Sequence, residues 1–112
     1  MTTLRRVGDL DPGIRETVVW LRKHGFDTTD SGDGVSKLAR DPEMHKYVLD
    51  IPHVFMRVAR SAVLDEADRL AALVASIPTA KVEASYAPGG ESILALLGVD
   101  DTQLADARGG GR

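Results

Sequence analysis

The sequence predicts an α+β fold, a small and mainly antiparallel β-sheet with two helices on one face, in the order α-β-β-α-β-β. Three observations carry this. Ile14, Val18 and Leu21 fall at helical spacing, as do Leu64, Ala67, Ala71 and Val74, so two segments each present an apolar stripe. Lys81–Tyr86 alternates, with Val82, Ala84 and Tyr86 against Lys81, Glu83 and Ser85. Each helix is followed by a short alternating segment, a Gly-rich turn and an apolar run, so the second half echoes the first element by element.

Taken in order, residues 1–10 read as a lead-in or short edge strand. Asp11-Pro12 opens the first helix: Asp11 can accept from free backbone N–H groups, and Pro12 suits the first helical position. Arg22, Lys23 and His24 favour the negative end of the dipole, and Gly25 stops a helix over 12–24. Residues 26–30 form a Thr-rich strand, Ser31-Gly32-Asp33-Gly34 turns, and 35–46 are mostly loop. In the extended stretch 47–59, Val54, Met56 and Val58 point one way and Phe55, Arg57 and Ala59 the other. Pro52 puts its early part at an edge or outside the ladder. The second helix spans 64–77, with Asp65 and Glu66 near its positive end and Pro78 after it. A turn at 87–90 leads to Ser92-Ile93-Leu94-Ala95-Leu96-Leu97, apolar on both parities and so covered on both faces, by the chain or by a partner subunit. Residues 102–112 read as a flexible Gly-rich tail. Two helices cover one side of such a sheet, and pairing of subunits through the other side, or across an edge, is the economical way to cover the rest.

With 112 residues, the chain has room for a single domain over 11–101, between lead-in and tail. Aromatics make up 4%, so the core must be Leu, Val, Ile and Ala. The absence of Cys excludes disulfides, Cys-ligated zinc and Cys nucleophiles, and suits a reducing cytosol. No run approaches the ~18 apolar residues of a membrane span, and the N-terminus has no secretory signal pattern, so a cytoplasmic protein without membrane partners is expected. A net charge of −3 argues against DNA as partner, though a small anion needs only a few local cations.

Candidate chemistry is concentrated in three places. Asp30-Ser31-Gly32-Asp33-Gly34 has neither the spacing of a calcium loop nor the Lys-Ser/Thr ending of a phosphate loop. One reading is a plain turn, with Gly32 and Gly34 at positive φ and Asp30 and Ser31 capping their own backbone. The other is a phosphate- or ribose-binding turn, with Asp30 or Asp33 accepting from a sugar hydroxyl. Arg57 interrupts an apolar strand and Arg60 follows it, either as outward residues paired with acids or as a phosphate clamp. Tyr86 is core trim or a face on which a purine stacks, and Arg108 and Arg112 either close over an anion or stay solvated. His24, His45 and His53 show no helical metal spacing, and no nucleophile elbow is present, so neither a catalytic residue nor a cofactor is expected. The enzymatic alternative is a small metal-dependent phosphodiesterase, its metal assembled from Asp30, Asp33 and His53. A structural dimerisation module is the third reading.

Pro12-Gly13-Ile14-Arg15, the run Gly25 to Gly34, Pro52-His53-Val54-Phe55-Met56, Glu66-Ala67-Asp68-Arg69-Leu70 and Val82-Glu83-Ala84-Ser85-Tyr86 together resemble the phage-encoded Thoeris anti-defence sponges of the first-described type. The resemblance covers roughly residues 11–101. It implies a non-enzymatic protein of the infected bacterial cytosol that sequesters the cyclic ADP-ribose isomer made by TIR enzymes. It also implies homo-oligomers built from dimers, with ligand held between subunits, and in some members cyclic di- or trinucleotides at separate sites. Stretch 35–46 and the Gly-rich tail match no part of the pattern. By chemistry, Arg57, Arg60 and Tyr86 would hold phosphates and base, and Asp30, Ser31 and Asp33 would shape the ribose contacts. Nanomolar binding needs about −12 kcal/mol. A charge-assisted hydrogen bond contributes roughly 1.5–3 kcal/mol and a base stack about 1–3 kcal/mol, while association costs at least ~4 kcal/mol. A shallow one-subunit site with one arginine falls short, so enclosure by two subunits is expected.

Overall fold

The computed structural model describes residues 10–36, 49–86 and 91–108, and in them the expected α+β order is present with one helix added. A 3-10 turn (Pro12–Ile14) runs into α1 (Arg15–Lys23). β1 (Asp27–Gly32) and β2 (His53–Ala59) follow, then a second 3-10 turn (Arg60–Ala62) and α2 (Val63–Leu73). β3 (Lys81–Tyr86), β4 (Glu91–Leu97) and α3 (Asp101–Ala107) complete the order. The sheet is antiparallel throughout, in the order β1-β2-β4-β3.

Register explains the hydrophobic patterns. Val54 lies opposite Leu96 and Met56 opposite Leu94, and these four are fully buried beneath the helices. Ile14, Val18 and Leu21 meet them from the first helical segment, Val63 and Leu70 from α2, and Leu104 from α3. β4 is a central strand and is apolar on both parities: Leu94 and Leu96 face the helices, while Ile93, Ala95 and Leu97 share the opposite face with Phe55 and Arg57. β3, an edge strand, alternates and is mostly exposed. Arg69 ties α2 to the end of α1. It pairs with Glu66 at 2.8 Å, donates to the His24 carbonyl at 2.6 Å and lies 3.9 Å over the Phe26 ring. Its guanidinium holds the Glu66 carboxyl below the usual range.

Several boundaries differ from expectation. Asp11 does not cap the first helix; its carboxylate accepts from the Asp33 N–H at 3.3 Å instead. β1 extends through Ser31 and Gly32, which were expected to turn: beyond a bulge between Thr28 and Asp30, they stay in the ladder opposite Val54 and His53. β2 begins at His53, directly after Pro52, whose ring cannot donate to the ladder. α2 starts at Val63 and ends at Leu73, with turns continuing toward Ile77.

The largest correction concerns the expected tail. Residues 101–107 are helical: the Asp100 carboxylate accepts from the Thr102 and Gln103 N–H groups, and the Gln103 side chain accepts in return from the Asp100 N–H. Leu104 then buries itself in the core. The lead-in before residue 10, most of the 35–46 loop, the turn at 87–90 and the end of the tail with Arg112 lie outside the described residues. No helix is long and apolar enough to cross a membrane among the described residues.

Candidate ligand-binding site

The residues singled out from sequence are spread along the sheet and not gathered at one place. Ser31 and Gly32 pair with Val54 and His53, whereas Tyr86 pairs with Ser92, which pairs with Val58. The Val54 and Val58 rows are four residues apart, about 13 Å along a strand. Arg60 and Tyr86 are therefore brought toward one end and Ser31 and Asp33 toward the other, with Arg57 and Asp30 between them: Asp30 pairs with Phe55, two residues from Arg57 along β2.

At the second of these ends the turn's groups are engaged within the protein. The Ser31 N–H donates to the Asp30 carboxylate at 2.9 Å, and the Asp33 N–H donates to Asp11. The buried Asp33 carboxylate accepts from the Val35 and Ser36 N–H groups at 3.0 and 2.7 Å, from the Ser36 hydroxyl, and from Gly13 N–H at 3.2 Å across the fold. Burial alone would raise this carboxyl; the hydrogen bonds from Ser36, Val35 and Gly13 outweigh it and hold it below the ordinary value. These amides do not present the phosphate cradle that one reading required. Gly34 has φ +85°, as the turn demands, but Gly32 does not; a Cβ there would meet the His53 ring at 2.6 Å, so it is glycine for space. His53 is buried, with Nδ1 2.9 Å from the Ile51 carbonyl, which only accepts, so Nδ1 carries the proton. No group of three or more His, Cys, Asp or Glu side chains is placed to hold a metal among the described residues.

Toward the other end, Arg57 stands between Asp27, its partner in the register, at 3.3 Å and Glu91 at 3.4 Å. Arg60 is exposed in the turn after β2, and Tyr86 closes β3. Ser92 contributes the single buried side-chain polar atom without a hydrogen-bond partner among the described residues.

A third place combines charge with an aromatic ring. Arg15, Glu16, Val19, Trp20 and Lys23 on the outer side of α1, together with Arg108 at the end of α3, line an open groove of about 420 Å³. Helical spacing brings Arg15, Val19 and Lys23 into one row, with Trp20 beside it. Arg15 Nε donates to the Leu10 carbonyl at 3.1 Å, which fixes its stem across the helix start. The half-buried indole of Trp20 meets the His24 ring edge-on, with centroids 5.1 Å apart. Three cations and an indole against one carboxylate suit an anionic ligand that carries an aromatic ring. Two other depressions do not: among charged groups, one carries Glu83 beside Phe55 and Ile93, and the other Asp106 beside Pro78 and Ile77. From sequence alone, Arg108 stands as a possible anion contact on a loose tail, and Lys23 only as a cation at the helix dipole. The helical row on α1 was the signal that could have joined them.

Fold and groove together define a small α+β protein with a four-stranded antiparallel sheet and a cationic, indole-bearing cleft on its first helix. No protein-family model, curated protein or solved structure matches the chain.

Proposed function

We propose that the protein binds a cyclic ADP-ribose-type signal, or a cyclic oligonucleotide of related chemistry, and holds it without cleaving it. In the cytosol of an infected bacterium this would block Thoeris-type defence. The sequence resemblance supplies the ligand class, and one observation supports the placement: Arg15, Lys23 and Arg108 surround the indole of Trp20 in a single groove. Its volume, about 420 Å³, lies within the roughly 300–1,000 Å³ range of small-molecule sites. The indole provides a stacking face for a purine, and the cations meet the phosphates. An open groove leaves much of a ligand in water, so tight retention calls for a second subunit to close it.

The test is to mix protein and cyclic ADP-ribose isomers, remove free ligand by filtration, denature by heat and identify what is released. Intact ligand is expected. Trp20→Ala and Arg108→Ala should each weaken retention about tenfold, in line with one stack or one charge-assisted hydrogen bond. Chemically altered ligand would point to a hydrolase, and no depletion to a structural module. Arg57→Ala should leave retention in place; if it abolishes retention while Trp20→Ala does not, the site moves to the end of the sheet with Arg60 and Tyr86.

A further inference from the structure

We infer that Asp101 is a positioning residue for the groove, holding Arg108 beside Trp20 and Lys23 by capping α1 from α3; this rests on the groove being the ligand site. Asp100 and Asp101 are adjacent carboxylates with separate tasks. Asp100 caps its own helix. Asp101 turns to the start of α1: one oxygen accepts from the Thr17 N–H and the Thr17 hydroxyl, both at 2.8 Å, and the other accepts from the Glu16 N–H at 3.2 Å. No side chain of the adjoining 3-10 turn or of α1 caps α1, so its free amides are met from 84 residues away. Thr17 is fully buried, which shields this contact from water.

Helical geometry carries the contact to the groove. Arg108 lies seven residues beyond Asp101, about 10 Å along a helix, and Lys23 lies six beyond Thr17, about 9 Å. With Asp101 fixed on Thr17 and Leu104 anchored in the core, α3 runs beside α1 and its end comes level with Trp20 and Lys23. Arg108 has no hydrogen bond or ion pair from its guanidinium to another described residue. Its place in the groove is therefore set by the helix that carries it. Loss of the Asp101 carboxylate leaves Leu104 as a pivot and releases Arg108 from the cleft.

Trp20 is the chain's single tryptophan, so its emission reports on the groove directly. The experiment compares quenching by iodide and by neutral acrylamide in the wild type, Asp101→Ala and Arg108→Ala, alongside nucleotide retention. Iodide preference should be highest in the wild type and fall in Asp101→Ala to the level of Arg108→Ala, with far-UV circular dichroism preserved. Retention should weaken about tenfold in each single variant, and the double variant should be no weaker than Arg108→Ala alone. Unchanged iodide preference in a folded Asp101→Ala, or losses that multiply in the double variant, would overturn the inference. If Asp101→Ala does not fold, Asp101→Asn replaces it: the oxygen toward Thr17 is kept and the acceptor for Glu16 is lost, so an intermediate fall in iodide preference is expected and none would refute it. A wild type that retains no nucleotide defeats the proposed function, and the iodide comparison still decides the role of Asp101.

Discussion

Asp33 is a point where separate stretches of chain are joined. Its carboxylate draws Gly13, Val35 and Ser36 together while its own N–H is taken by Asp11. Because its folded pKa is lowered, the stability it contributes is present above the unfolded value, about pH 4, and is lost as pH falls through the folded value. Asp33→Asn should cost about 1–2 kcal/mol at pH 7, and the gap to the wild type should narrow at pH 3, as measured by urea denaturation at both pH values. Ser92 is the opposite case, a buried hydroxyl with no partner among the described residues. Ser92→Ala should stabilise the fold by about 1 kcal/mol, seen as a higher denaturant midpoint with an unchanged slope. Residue types at these positions were legible in the sequence, but their partners were not. Arg57 shows this: a charged residue in an apolar strand announces that it needs a partner, and only the register shows Asp27 and Glu91 beside it.

At the scale of elements, the stripe of the first helix was readable because burial imposes the period of the backbone on the sequence, and the alternation of Lys81–Tyr86 marked a strand. The stripe of the second helix was only partly right: Leu64 and Ala71 are exposed, and Val63, Leu70, Val74 and Ile77 carry the burial, because a helix apolar on several sides offers more than one line to count. β1 was placed but cut short at Asp30, since the bulge interrupts its period and the glycines after it read as a turn, and α3 was missed because its apolar stripe is short, with Leu104 as its one buried residue. The Asp100-x-x-Gln103 capping box was its only strong local mark. The groove escaped notice for a related reason: α1 and α3 meet through contacts that no sequence interval reveals. Gly98 sits just before α3, between β4 and the Asp100 cap. It ends β4 at φ +79°, and a Cβ there would come within 2.1 Å of the Thr79 carbonyl oxygen. Gly98→Ala should therefore cost more than 1 kcal/mol, read as a fall in melting temperature, and should disturb α3 before the rest of the sheet.

For the molecule as a whole, helices lie against one face of the sheet, and the other carries Phe55, Ile93, Ala95 and Leu97 bordered by Arg57, Glu83 and Lys81. The proposed function asks for a second subunit. Light scattering on the purified protein should give a mass of at least two chains, and a monomer at working concentration would leave the groove open and retention weak. The Asp101 cap also bears on how the protein is made. Residue 101 leaves the ribosome 84 residues after Thr17, a delay of roughly 4–17 s at ordinary rates of translation. Until then the first helix is a nascent segment without the acceptor for its leading amides, so its maturation waits on chain made long after it.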